Sequence, residues 1–254
     1  MKITLCTGPT LPVPALAGGA VHRFWEQMAP AFVAAGHDVT LIARTFQGQV
    51  DQESWKGVRI IRVGGFDDSG SRVGNLFRGL WDSRHVTRVL PKADIVVTND
   101  LALPFAIARH PYAGRLVMAM GRQPKGQLSW YPRVDGVAAA SRSVAEQIAA
   151  QTPSLSAKTR VLPYAVDTNV FHCRDDQCPA PNTVLFAGRL HPEKGLDWLI
   201  DAYRMAVSIE PSLRLSIVGP WRTEQGAPAS TIETRFGNGA RIFPSTGWNR
   251  NSTH

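Results

Sequence analysis

Arg189 and Lys194 lie close together in the run Thr183 to Ala206, which reads TVLFAGRLHPEKGLDWLIDAYRMA. A guanidinium offers a planar fork of N–H donors and an ammonium a compact charge, so together they suit a strongly anionic group, with a diphosphate the obvious candidate. Gly188 and Gly195 stand beside them and permit tight backbone geometry. A strand-to-helix turn carrying two solvated charges is the competing account of this stretch taken alone. A second candidate is the polar pair Asn99 and Asp100, directly after the apolar run Ala93 to Thr98. Tips of parallel strands face the ligand crevice of an open α/β sheet, which makes the pair a candidate for sugar or acceptor contact. Capping of a helix that starts at Leu101 is the competing explanation, and for Asp100 the better one.

The elements that must position these residues follow from periodicity. Val184 to Ala187 is a short apolar run that reads as a buried strand, and from Gly195 onward Leu196, Leu199, Ile200, Tyr203 and Val207 recur at helical spacing. The turn between them therefore lies at a strand C-terminus and a helix N-terminus, where unpaired N–H groups and the helix dipole favour an anion. Upstream, residues 2 to 6 predict a strand, followed by a Gly/Pro-rich loop ending in Gly18 and Gly19, which alone reads as a loop end. A helix with Phe24, Met28, Phe32 and Val33 inward closes at Gly36, before a strand from Asp38 to Ala43. Further strands are expected at Gly57–Val63, Ala93–Thr98, Arg115–Met120 and Val134–Ala140, with a helix from Val73 to Leu90 and another capped by Ser141 with Val144, Ile148 and Ala149 inward. After residues 160 to 171 cross between domains, a Cys/Asp/Pro-rich stretch reads as a linker. Beyond it come Leu213–Val218 as a buried strand ending in Gly219, a short helix at Thr231–Phe236 and a strand at Arg241–Phe243. The expected class is α/β: a Rossmann-like, doubly wound parallel sheet in residues 1–171, a linker in 172–182 and an incomplete second Rossmann-like domain in 183–254.

Composition narrows the partners. An apolar fraction of 44% and a charged fraction of 19% fit a globular chain, and no apolar run reaches the roughly 20 residues of a spanning helix. The first residues enter a strand pattern without signal-peptide architecture, so the expected location is cytoplasmic. Cys173 and Cys178 lack the second ligand pair that a zinc site needs, and structural thiols are the default. The formal charge of +8 points to an anionic partner. Nucleic acid is disfavoured, since no Lys/Arg cluster interleaved with aromatics occurs. Between Asp100 and Asp135 no acidic residue occurs, while Arg109, Arg115, Arg122, Lys125 and Arg133 accumulate. That field suits a phosphorylated or lipid-linked acceptor, or peripheral contact with the inner membrane face; a scattered solvated face is the other reading, and the one favoured.

The segments FAGRLHPEKGLDWLIDAY, GGAVHRFWEQMAPAFVAAGHDVTLIAR and DGVAAASRSVAEQI resemble family 4 glycosyltransferases, the retaining nucleotide-sugar enzymes of GT-B fold. The resemblance implies transfer of a hexose from a nucleotide-diphosphate sugar to a hydroxyl on a glycan, lipid-linked or small-molecule acceptor. It implies Arg189 and Lys194 on the donor diphosphate, Gly18 and Gly19 approaching the donor phosphate, and Gly219 in a Val-Gly turn near the base. It also implies no cofactor and no metal, the two cations taking the place of a bound ion. Oligomeric state is left open. Several positions depart from the pattern. Asn99 and Gly121 stand at the strand tips where many members carry a catalytic histidine, so no catalytic residue is assigned. Ala165 replaces a usual glycine before Val166-Asp167, and no E-x7-E pair follows, Glu224 and Glu233 being misspaced. A C-terminally truncated chain is therefore expected, and a catalytically inactive remnant or binding module of the same fold is the alternative function.

Overall fold

The computed structural model describes residues 1–16, 19–67, 71–172, 182–188, 194–219 and 240–244. Its contacts divide the chain into two units, Met1–His172 and Cys173–His254.

In the first unit, short apolar runs form β1 (Lys2–Cys6), β2 (Asp38–Arg44), β4 (Val58–Val63), β5 (Ala93–Thr98), β6 (Ala113–Met120), β7 (Gly136–Ala139) and β8 (Thr159–Val161), joined by β3 (Gln52–Trp55). The sheet order is β3-β4-β2-β1-β5-β6-β7-β8. Every pairing is parallel except β3 with β4. The sequence patterning misses β3. Its two-residue turn is Lys56-Gly57, with φ of 49° and 78°, the left-handed pair that a tight hairpin of the natural twist demands. The extra strand supplies a counter-charge to a buried cation. Glu53 reaches Arg62 on β4, whose side chain is fully buried and also donates to the Val50 carbonyl at 2.6 Å.

Parallel connections need crossover helices, and these cover both sheet faces. The helix α1 (Ala20–Ala34) packs Phe24, Trp25 and Ala29 against Ile3, Leu5, Val39 and Leu41. On the alternate side chains, α2 (Arg72–Val89) and α3 (Leu103–Ile107) bury Val86, Leu103 and Ile107 with Cys6, Ile42, Val96 and Leu116. A third cluster joins Val144 and Ile148 of α4 (Arg142–Gln151) to Met118, Met120 and Val137. Ser141 caps α4 as expected, its hydroxyl accepting from Val144 N at 3.2 Å. Each fully buried Leu or Ile contributes about 1.5 to 3 kcal/mol, so these clusters hold the strand tips at a fixed level.

The second unit contains β9 (Thr183–Ala187), α5 (Leu196–Ile209), β10 (Arg214–Gly219) and β11 (Ala240–Pro244), with the parallel order β11-β10-β9. Leu196, Ile200 and Tyr203 pack on Leu215 and Ile217, with Leu199 and Val207 at the margin, which is the face expected from the sequence. The expectation of a buried strand at Val184–Ala187 needs correction. The strand forms, but Val184 is 36% and Leu185 65% exposed. The reason is position: among the described strands β9 pairs with β10 alone and ends the sheet order. The helix expected at 231–236 and the cysteines at 173 and 178 lie outside the described residues. Among the described residues no helix is long and apolar enough to cross a membrane. No group of His, Cys, Asp and Glu among them is placed to hold a metal ion.

Candidate functional site

Strand order reverses beside β1, which has β2 on one side and β5 on the other. At such a switch point the loops leaving the two central strands diverge and open a crevice. The residues there are Thr7 and Gly8 after β1, and Asn99 and Asp100 after β5. Asn99 donates its amide to the Thr7 carbonyl at 3.2 Å and accepts from the Trp25 indole at 3.3 Å. An indole N–H can only donate and a carbonyl only accept, so both contacts fix which end of the amide points where. Asn99 thus ties the β1 tip to α1. The Asp100 Oδ1 accepts from Ala102 N at 2.6 Å and Leu103 N at 2.7 Å, which makes it the capping group of α3. The helix begins at Leu103 rather than Leu101 because those first N–H groups turn back to the carboxylate. Burial raises the Asp100 pKa, and the two backbone donors oppose the shift.

Below this crevice a cavity of about 10 Å³ is lined by Thr7, Gly8, Asp82, Ser83 and Asp100. That is room for about one water molecule, not a sugar. Burial, reinforced by the charge of Asp100, pushes Asp82 up to about 6. Cys6 beside it is raised by burial and is an inert buried thiol.

Gly19 starts α1 with φ of 99°, and a side chain there would come within 2.8 Å of Leu11 Cδ1 and 3.1 Å of His22 Nδ1. Both conformation and space demand glycine. Its neighbour Gly18 lies outside the described residues. His22, in the first turn of α1, is 5% exposed, with the Thr7 backbone within reach of its ring. Burial lowers its pKa, and a hydrogen bond with the Thr7 backbone opposes the shift. Sequence patterning does not single out His22. Its place three residues after a helix-starting glycine is the one signal for it. Along the same edge, the Tyr164 ring packs on Phe24 at 5.1 Å and its hydroxyl fills the space that a side chain on Gly121 would occupy. Gly121, after β6, is thus explained by Tyr164, which no local pattern marks.

In the second unit, Gly188 and Gly219 are stacked at the tips of β9 and β10. Gly188 N donates to the Val218 carbonyl at 2.9 Å, and any side chain on Gly219 would strike the Gly188 carbonyl. Glycine at 219 is what lets the two strand ends stay paired. Gly195 caps α5 with φ of 67°, and nothing lies within 4 Å of where its side chain would be. Lys194 precedes it, exposed to solvent. Arg189 lies outside the described residues, so of the expected cation pair the structure places Lys194.

The helix starts divide into two kinds. Ser71 caps α2 and Ser141 caps α4, while Asp100 takes the N–H groups leading into α3. In contrast, α1 and α5 begin at Gly19 and Gly195 with no side-chain cap. A helix N-terminus presents first-turn N–H groups and the positive end of the dipole, to which phosphate oxygens are well suited.

Residues 17–170 match the family described as Glycosyltransferase Family 4. Spore coat protein SA of Bacillus subtilis (strain 168) is 25% identical over 240 residues, covering 86% of this chain. The chain spans 61% of the length of that relative. Among solved structures, the E. coli trehalose-6-phosphate structure bound with UDP-2-fluoro glucose superposes with a TM-score of 0.68 at 11% identity, covering 98% of this chain and 74% of the other. HepE of Anabaena in complex with UDP and glucose gives a TM-score of 0.64 at 16% identity, covering 96% and 69%. At these identities the likeness is one of fold.

Proposed function

The chain belongs to Glycosyltransferase Family 4, with the Rossmann-like units of the GT-B type, and from that premise we propose that it transfers a hexose from a nucleotide-diphosphate sugar to a hydroxyl acceptor with retention. The observation that carries the reading is the contrast in helix starts. Serines cap α2 and α4, and Asp100 takes the backbone N–H groups just ahead of α3, whereas α1 and α5 start at Gly19 and Gly195, which carry no capping side chain. In this reading Arg189 and Lys194, which precede α5 in sequence, hold the donor diphosphate, and Gly18 and Gly19, which precede α1, let the first loop approach the donor phosphate. UDP and UDP-2-fluoro glucose in the structurally similar proteins support a nucleotide-sugar donor.

The chemistry asks little of a protein base. The anomeric carbon–phosphate oxygen bond breaks, the acceptor oxygen bonds to the same face of that carbon, and the acceptor proton passes to an oxygen of the departing diphosphate. Stabilising the negative charge on the leaving group is then the dominant requirement, which is what N–H groups and fixed cations supply. Asn99 and Gly121 at the strand tips are compatible with this, since neither is a base.

Calorimetric titration of the chain with UDP, ADP and GDP tests the reading, with an Arg189→Ala, Lys194→Ala variant alongside. One nucleotide should bind, and the double variant should weaken it at least tenfold, or about 1.4 kcal/mol. If none binds, the donor site is absent from this polypeptide. Where binding is found, the anomeric configuration of the product, read by NMR, decides retention.

A further inference from the structure

Helix α2 is inverted over its first half. An amphipathic helix ordinarily turns its large apolar side chains to the sheet. Here the inward positions are Gly79, Asp82 and Ser83, all buried, while Leu76, Phe77, Leu80 and Trp81 are 41%, 68%, 37% and 63% exposed. The inner face explains why the helix does not roll over. Gly79 allows an approach in which a side chain would be 3.0 Å from the Ala102 Cβ, Ser83 bonds back to the Gly79 carbonyl at 2.7 Å, and Asp82 lines the cavity beneath the crevice. The second half holds that register with Val86 and Leu90 in the core.

The outer face has a definite electrostatic character. Phe77, Trp81, Arg84 and Arg88 follow one another at the four- and three-residue steps that share a helix face, and the Arg84 guanidinium lies 5.0 Å from the centre of the Trp81 ring. Among the described side chains of α2 the exposed charges are Arg78, Arg84 and Arg88, and the one acid, Asp82, faces inward. The exposed apolar surface continues at Leu101, just before α3 and 54% exposed, and at Phe105 of α3, 38% exposed, on the helix that packs on α2.

We propose that the outer face of α2 docks on an anionic lipid bilayer, with Phe77 and Trp81 entering the interfacial layer and Arg78, Arg84 and Arg88 engaging acidic headgroups. Aromatic rings with arginines and no exposed carboxylate are the composition that partitions to such an interface. A second copy of the chain fits worse. A two-fold contact would set the arginines against themselves, in a protein whose formal charge is already +8. The proposal stands on this helix and not on the nucleotide site, so loss of one leaves the other measurable.

The test is co-sedimentation of the full chain with vesicles of phosphatidylcholine alone and of phosphatidylcholine mixed with phosphatidylglycerol. Partitioning should be at least about tenfold stronger to the mixed vesicles and should weaken with salt. A Phe77→Ser, Trp81→Ser variant should lose about tenfold, and so should Arg84→Glu, Arg88→Glu. Both alter exposed positions, and circular dichroism melts should coincide with the parent. Three results would overturn the proposal: no preference for the acidic vesicles, binding unchanged in the aromatic variant, or light scattering that shows a dimer dissolved by that variant without vesicle binding.

Discussion

Among the described residues, the two units rest on different amounts of packing. In the first, three buried clusters cover both faces of an eight-stranded sheet, and central strands such as β1 and β2 are paired on both sides. In the second, the described residues contain one cluster of five buried side chains, and β9, the strand that leads into the Arg189–Lys194 turn, stands at the end of its sheet order with Leu185 65% exposed.

The sharpest way to break that comparison is a matched pair of core truncations, Leu41→Ala and Ile217→Ala, both at fully buried positions. Each should cost about 3 to 5 kcal/mol. Hydrogen exchange followed by mass spectrometry should show Ile217→Ala releasing β9, β10 and α5 while β1 and β2 stay protected. Simultaneous loss of protection in both units would refute the distinction. Next in size, Glu53→Ala strands the buried Arg62 guanidinium and should destabilise the first unit by about 3 kcal/mol, read as a lower urea midpoint.

A third test uses pH. Asp82 has a folded pKa raised to about 6 by burial and by Asp100, above its usual value near 4. The folded state then holds more protons than the unfolded state between those values, so stability falls as pH rises from 4 to 6 and is flat above. Asp82→Asn should remove that slope and raise the stability of the first unit at pH 8 by roughly 2 to 3 kcal/mol, with little change at pH 4. A melting temperature that rises equally at both values would show that charge burial is not the cause. The smallest effect separates the two kinds of helix start. Ser141→Ala should cost about 1 kcal/mol without touching nucleotide affinity. Gly195→Ala costs a similar amount through its left-handed backbone, and should weaken nucleotide binding if α5 receives the diphosphate.

Much of this is legible in the sequence because strands and helices announce themselves by local spacing. The α5 face of Leu196, Ile200 and Tyr203 and the Ser141 cap need no tertiary information. Asp100 is legible as a cap for the same reason: a short carboxylate before a helix meets nearby N–H groups. The β3 hairpin escapes because Lys56-Gly57 is a weak turn signal, and its partner Glu53 matters only through the distant Arg62. The inversion of α2 also escapes. Its apolar residues recur at helical intervals on both faces, so spacing alone cannot tell which is buried.

What the chain determined by itself is therefore the set of α/β units, their order and the glycine-bounded turns, since each depends on neighbours a few residues apart. Which strand became an edge, which glycines are held by packing rather than by ligand, and which face of α2 meets solvent were decided only when remote segments came together. Gly219 is explained by the Gly188 carbonyl, Gly121 by Tyr164, and the exposure of Phe77 by the tight seat of Gly79 on Ala102. Burial is a property of the assembled surroundings, and a sequence pattern records only which residues are suited to it.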